Sequence, residues 1–91
     1  MSLYQTILQL KDEEECYKFF QDLCTVSELR AMEQRYDVAV LLRKGMIYND
    51  ILRETGASSA TISRVNRALN YGYEGYQQVF ARLFPEEEKK E

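Results

Sequence analysis

Residues 48–69 of this 91-residue chain show two helical repeats of apolar side chains with a single glycine between them. The first segment is predicted to run from Tyr48 to Thr55, and the second opens near Ser58. Gly56 interrupts the pattern, and glycine tolerates the left-handed backbone that a tight corner between crossed helices requires. The apolar positions of the second segment recur at offsets of three and seven, the spacing of one helix face: Ile62, Val65 and Leu69.

The opposite face of the second segment is rich in hydrogen-bond donors. Short uncharged side chains come first, which lets the backbone approach a ligand, and two arginines follow. A helix about three turns long with an apolar back and a donor-rich front suits insertion into a DNA major groove. A plain corner with a solvated polar face in a small helical domain would show the same pattern. The donor positions are Ser59, Thr61, Ser63, Arg64 and Arg67.

The charge of the chain is unevenly distributed. The formal net charge is −3, which by itself disfavours a nucleic-acid partner. Residues 41–70, however, carry five basic and two acidic side chains, whereas residues 1–40 carry four basic and eight acidic ones. The positive segment therefore coincides with the helix pair, and a basic face on an acidic body would orient the protein toward phosphates.

Helical patterns account for nearly the whole chain. One proline and four glycines are too few for the turns of an all-β fold. We therefore predict an all-α, six-helix domain over residues 1–84, followed by a disordered charged tail at 85–91. The predicted segments are 2–10, 12–23, 25–44, 48–55, 58–69 and 73–84.

Capping residues mark several of these boundaries. Asp12 is a candidate N-cap, and the acidic run Glu13–Glu15 is favourable at a helix start, a simpler explanation than a metal site. Thr25 and Glu28 form a capping-box pattern, and Gly45 is a good helix terminator. Between the first two caps, the helical spacing predicts a core stripe that comprises Cys16, Phe19, Phe20 and Leu23.

The apolar residues of the N-terminal stretch, among them Leu3, Ile7, Leu8 and Leu10, would be poorly covered in so small a monomer. They belong either to a subunit contact or to the core of a lone domain. Together with two long apolar stripes, they favour a homodimer, because a chain of this size buries a limited fraction of its surface alone.

Several classes of function are disfavoured. The chain has no histidine, so Ser-His and Cys-His nucleophile pairs cannot form, and it lacks glycine-rich phosphate-binding loops. We therefore expect neither an enzyme nor a bound metal or cofactor. Cys16 and Cys24 lack metal-ligand spacing and are expected to be reduced thiols in the cytoplasm. No apolar run is long enough to span a membrane, and no signal peptide is evident.

Three blocks of the sequence resemble the tryptophan-repressor family, and in particular its branch of Trp-repressor-related proteins. The blocks are LCTVSELRAMEQR, LLRKGM and ETGASSATISR, and the resemblance covers Leu23 to about Leu69. It implies an intertwined all-helical homodimer in which each subunit presents one helix-turn-helix to double-stranded DNA, as in a transcriptional repressor.

The resemblance also implies roles for individual residues. Ser59, Ala60, Thr61 and Ser63 match the family's DNA-reading positions, with Arg64 nearby. Asn49 and Arg53 lie on the preceding helix, where contacts to the DNA backbone are expected. Together with Arg67, the predicted DNA-binding residues are Asn49, Arg53, Ser59, Ala60, Thr61, Ser63, Arg64 and Arg67.

The founding member of the family binds tryptophan, but only part of its pocket has a counterpart here. Thr25, Arg35 and Arg64 match, whereas Val65 replaces a glycine and Ala68 replaces a serine. The valine side chain would fill the space of the indole, and the alanine lacks the hydroxyl. We therefore expect no response to tryptophan, and a surface charge and a phosphate contact are the simpler roles for the two arginines.

One function of a different class remains open. The same helical fold would serve as a protein-interaction module that uses the tyrosine-rich stretch 71–76 and the acidic N-terminal half, with little or no DNA binding.

Overall fold

The computed structural model describes residues 1–85, so the predicted tail at 85–91 lies outside the described residues except for its first residue. The described part contains six α-helices and no strand, as the sequence predicts. In chain order they are α1 (Leu3–Ile7), α2 (Glu13–Leu23), α3 (Val26–Arg43), α4 (Tyr48–Thr55), α5 (Ser59–Tyr71) and α6 (Gly75–Leu83). None of the helices in residues 1–85 is both long and apolar enough to cross a membrane.

The predicted caps start the helices. The Asp12 carboxylate accepts a hydrogen bond from the Glu15 backbone N–H at 2.9 Å and begins α2. Thr25 and Glu28 form a reciprocal capping box: the Thr25 N–H donates to Glu28 Oε1 at 2.8 Å, and the Glu28 N–H donates to Thr25 Oγ1 at 3.1 Å. These bonds satisfy backbone donors that a helix start leaves unpaired.

The contacts divide the chain into two compact units, residues 1–33 and the residues from 34 onward, so the boundary falls within α3. In the first unit no residue is buried, although Phe19 and Phe20 form an edge-to-face pair with ring centroids 5.6 Å apart. The predicted core stripe of α2 is therefore wrong for the single chain. Cys16, Phe19 and Phe20 are only half-buried, and Leu23 is exposed. Helical spacing identifies an apolar face, but burial needs a second surface to cover it.

The second unit contains the buried core. Its centre is Val38 and Ala39 of α3, and α4, α5 and α6 pack around them. The apolar run 38–42 is thereby covered on more than one side, as its sequence requires. The buried residues are Val38, Ala39, Ile51, Ala57, Ile62, Val65 and Phe80.

Aromatic rings attach α6 to this core. The Phe80 ring lies 5.7 Å from the Tyr76 ring and 5.8 Å from the Phe84 ring, measured between centroids. The guanidinium carbon of Arg43 lies 4.3 Å from the Phe84 centroid, within cation–π range. The end of α3 is therefore joined to α6 by packing and by a charge–ring contact.

The start of α6 differs from the sequence prediction by two residues. The helix begins at Gly75, because Glu74 adopts a left-handed backbone with φ +67°. That conformation is uncommon for a residue other than glycine or asparagine, so the pattern of apolar residues did not reveal it. Tyr73 consequently lies outside the helix and is fully exposed.

Candidate nucleic-acid interface

The corner between α4 and α5 is formed as the glycine predicts. Gly56 has φ +72°, and its N–H donates to the Leu52 carbonyl at 2.9 Å, which closes the last turn of α4. The next residue, Ala57, is buried, and Ser58 then begins α5. The two helices are thus separated by three residues, and a buried side chain anchors the turn to the core.

Ser58 sets the first turn of α5. Its hydroxyl accepts a hydrogen bond from the Thr61 N–H at 3.1 Å and lies 3.1 Å from the Thr61 hydroxyl oxygen, to which it donates. This N-cap holds the first turn in helical geometry and engages the side chain of Thr61, but not those of Ser59 and Ala60. The side chains of Ser59 and Ala60 therefore remain available to a ligand.

α5 separates an apolar face from a polar one. Ile62 and Val65 are buried at 0% and 2% exposure. Of the eight predicted DNA-binding residues, seven are exposed and Thr61 is half-buried. Four of them surround one surface depression of about 340 Å³: Ala60, Ser63, Arg64 and Arg67. The fold thus presents small, hydroxyl and guanidinium side chains together on one surface.

The two candidates on α4 are also on the surface. Asn49 and Arg53 are exposed, and the Arg53 guanidinium donates a hydrogen bond to the Asp50 carboxylate one turn earlier. The Arg53 side chain is 73% exposed and that of Asp50 is 41% exposed, so water screens the ion pair and its net stabilisation is small. The guanidinium can therefore exchange this partner for a phosphate at little cost.

The five residues of the predicted effector pocket lie in different surroundings. Val65 is in the core, Arg64 lines the outer depression and Arg35 is half-buried. Thr25 belongs to the first unit, where its hydroxyl caps α3. Ala68 lines a separate, largely apolar cavity of about 520 Å³, whose other lining residues are Tyr36, Gly72, Tyr73, Gly75, Tyr76 and Val79.

One contact at the corner was not predicted from the sequence. The side-chain amide of Gln34, on α3, donates a hydrogen bond to the backbone carbonyl of Thr55 at 3.2 Å. The two residues are 21 positions apart, and no spacing rule relates them. Gln34 precedes the buried pair Val38–Ala39 by one turn, which places it near the core. The sequence does not identify its partner, because the acceptor is a backbone carbonyl and every residue has one.

Comparisons with known proteins agree with this architecture. A family model described as Trp repressor protein matches residues 1–84. The protein YerC of Bacillus subtilis (strain 168) is 54% identical over 81 residues, which are 89% of this chain and 78% of that protein.

Two solved structures show the same fold. A TrpR-like protein from Eubacterium eligens ATCC 27750 superposes with a TM-score of 0.86 at 57% identity, over 89% of this chain and 84% of its own. A candidate Trp repressor from Staphylococcus aureus gives a TM-score of 0.85 at 47% identity, over 89% of this chain and 81% of its own.

Proposed function

Because the chain belongs to the Trp repressor family, we propose that it is a sequence-specific DNA-binding regulator of transcription, acting as a repressor through α4 and α5. The observation that carries the proposal is the division of α5 into two faces. Its buried face holds the helix on the core, and its exposed face combines hydroxyl and guanidinium donors around one depression. Donors of these two kinds suit base edges and phosphates respectively.

The proposed mechanism assigns different parts of the corner to different parts of the duplex. The first two turns of α5 enter the major groove, where the Ser59, Thr61 and Ser63 hydroxyls reach base edges and Ala60 permits close approach. Arg64 and Arg67 on α5, and Asn49 and Arg53 on α4, bind phosphates on either side of the groove. Phosphate contacts fix the position of the protein, and base contacts select the sequence.

We propose that the functional form is a homodimer. Support comes from the first unit, in which no residue is buried and several large apolar side chains are exposed, Tyr4 by 79% and Leu8 by 80%. The apolar cavity beside Ala68 leaves further apolar surface open on the second unit. A two-fold dimer presents two copies of α5 to half-sites about 34 Å apart, so the operator is expected to be palindromic. The cytoplasm, where DNA is accessible, is the proposed location.

Tryptophan is proposed not to be the corepressor. Val65 is 2% exposed, and its branched side chain packs in the core on the buried face of α5. A glycine at this position would leave that space open. Ala68 has no hydroxyl to accept or donate a hydrogen bond. Titration calorimetry of the purified protein with L-tryptophan is expected to show no binding at micromolar concentrations, and micromolar affinity would contradict the proposal.

Exposed aromatic residues support a second candidate function, a protein-interaction module. Tyr71 and Tyr73 flank Gly72 at the end of α5, and Tyr71 is 86% exposed. Tyrosine is favoured in protein interfaces, because its ring buries a large area while its hydroxyl remains hydrogen-bonded. A partner on this surface would leave the arginines of α5 unused.

Selection from a pool of random duplexes at moderate salt distinguishes the two functions. The proposed regulator is expected to enrich one palindromic sequence, with half-sites separated by one helical turn. Recovery of no common sequence contradicts that function and favours the interaction module. Performing the selection with and without a mixture of amino acids also tests for an effector.

A further inference from the structure

The end of α4 depends on a side chain from another helix. The last carbonyls of a helix have no partner within it. The Leu52 carbonyl accepts from the Gly56 N–H at 2.9 Å, and the Thr55 carbonyl accepts from the Gln34 amide at 3.2 Å. Gln34 and Thr55 are both half-buried, so water competes less for this bond than it would at the surface.

Thr55 transmits this contact across the corner. Its hydroxyl donates to the Ile51 carbonyl at 2.7 Å and accepts from the Ala57 N–H at 3.1 Å. The same residue is therefore held by α3 through its carbonyl, by α4 through its hydroxyl hydrogen, and by the residue beyond Gly56 through its hydroxyl oxygen. These bonds join the residue before the left-handed turn to the elements on both sides of it.

From this geometry we propose that Gln34 is a positioning residue that sets the angle of α5 and thereby the sequence specificity of DNA binding. The inference rests on the proposed function of α5. Gln34 itself does not touch DNA in this mechanism; it acts through the Thr55 peptide group. Apolar packing of Ile62 and Val65 holds α5 on the core but is not directional, whereas a hydrogen bond is.

The angle of α5 is important even within its first two turns. Ser63 lies four residues after the first residue of α5, which is about 6 Å along the helix axis. A tilt of about 10° at the start of the helix therefore moves Ser63 by about 1 Å. Binding constellations tolerate displacements of only about 0.5 Å. Base contacts need accurate geometry, whereas arginines on long flexible stems still reach phosphates after a small rotation. Loss of the Gln34 bond is therefore expected to affect specificity more than general affinity.

Two substitutions test the role of the donor. Gln34→Glu keeps the side-chain length and replaces the donor by a carboxylate that repels the Thr55 carbonyl. Gln34→Met also keeps the length and removes the donor without adding a charge. Gln78→Glu is the matched control, because it adds the same charge at an exposed residue of α6, outside α4 and α5. Circular dichroism establishes that each variant is folded.

The measurements are the affinities for the selected duplex and for a scrambled duplex of equal length. Both Gln34 variants are expected to bind the selected duplex about tenfold more weakly, while affinity for the scrambled duplex changes by less than about twofold. The control is expected to keep the wild-type ratio of the affinity for the selected duplex to the affinity for the scrambled duplex. An unchanged ratio in the Gln34 variants, or an equal loss in the control, overturns the proposal.

Amide hydrogen exchange separates this inference from the proposed function. The Gly56 and Ala57 amides are expected to exchange faster in both Gln34 variants than in the wild-type protein, and at the wild-type rate in Gln78→Glu. If the wild-type protein enriches no duplex, the proposed function fails. The contact is then judged by exchange alone, and unchanged rates at these two amides reject it.

Discussion

Gly56 at the corner is constrained by its backbone conformation and not by the space around it. A Cβ atom added at Gly56 would meet no atom within 4 Å, yet the backbone there has φ +72°. The requirement for glycine therefore comes only from the left-handed conformation. Gly72 shows the opposite case: its φ is negative, but a Cβ would lie 2.4 Å from the Ala68 carbonyl oxygen.

Gly56→Ala is expected to lower the free energy of unfolding by about 1–2 kcal/mol, the cost of a left-handed conformation for a residue with a Cβ. Gly75→Ala is the control, because its Cβ would also meet no atom within 4 Å, but its φ is not positive and it lies in α6. Alanine is favoured over glycine in a helix, so the control is expected to be neutral or slightly stabilising. Urea denaturation measures both. Equal effects of the two substitutions would show that backbone strain at Gly56 is unimportant.

At the level of the helices, short-range chemistry was predictable and longer-range geometry was not. The starts of α2 and α3 follow from Asp12 and from the Thr25–Glu28 pair, whose partners lie three residues apart. The bounds of α4 were predicted to the residue, although Ile47 before it makes no side-chain capping bond. The apolar spacing of α5 likewise predicted the buried Ile62 and Val65.

Other features depended on partners that the sequence does not show. The α2 stripe has the spacing of a core face, but no residue of the first unit is buried. The Gln34–Thr55 hydrogen bond joins a side chain to a backbone atom 21 residues away. In the candidate site, the apolar side of α5 was predictable from periodicity, while the orientation of the helix depends on such tertiary contacts.

The polar face of α5 leads to a prediction about salt. Arg64→Ala combined with Arg67→Ala is expected to weaken binding of the selected duplex by at least about tenfold. Each lost phosphate contact also removes about one unit from the slope of log affinity against log salt, so the slope should become shallower by about two units. Fluorescence anisotropy over a range of salt concentrations measures both quantities.

Lys11→Ala combined with Arg82→Ala is the matched control for this pair. Both side chains belong to exposed residues outside α4 and α5, and the loss of charge is the same. The control is expected to retain the wild-type slope, because net charge alone acts over a distance that salt screens. If the two double variants behave alike, the arginines of α5 contribute only general charge, and the assignment of α5 as the reading helix is wrong.

The whole molecule exposes more apolar side chains than its small core explains. Within residues 1–85, all seven buried residues lie in the second unit, while the first unit exposes Leu3, Tyr4, Leu8, Tyr17, Leu23, Val26 and Met32. Scattered apolar residues are normal on a protein surface, but a unit of 33 residues without a buried side chain has no core of its own. A second copy of the chain, as in the proposed dimer, would supply the missing cover.

Tyr4→Glu combined with Leu8→Glu is expected to convert the protein from a dimer to a monomer, because burying two unpaired carboxylates in an interface is costly. Gln5→Glu combined with Gln9→Glu adds the same charge to the same short segment, and a glutamate at position 5 preserves the capping box with Ser2. Sedimentation equilibrium should therefore show a dimer for the control and the wild-type protein.

Since half-sites are read in pairs, the monomeric variant should also bind a single half-site and the full palindrome with similar affinity. A wild-type protein that sediments as a monomer, or a dimer that both pairs of substitutions leave intact, would exclude the α1 surface as the subunit contact.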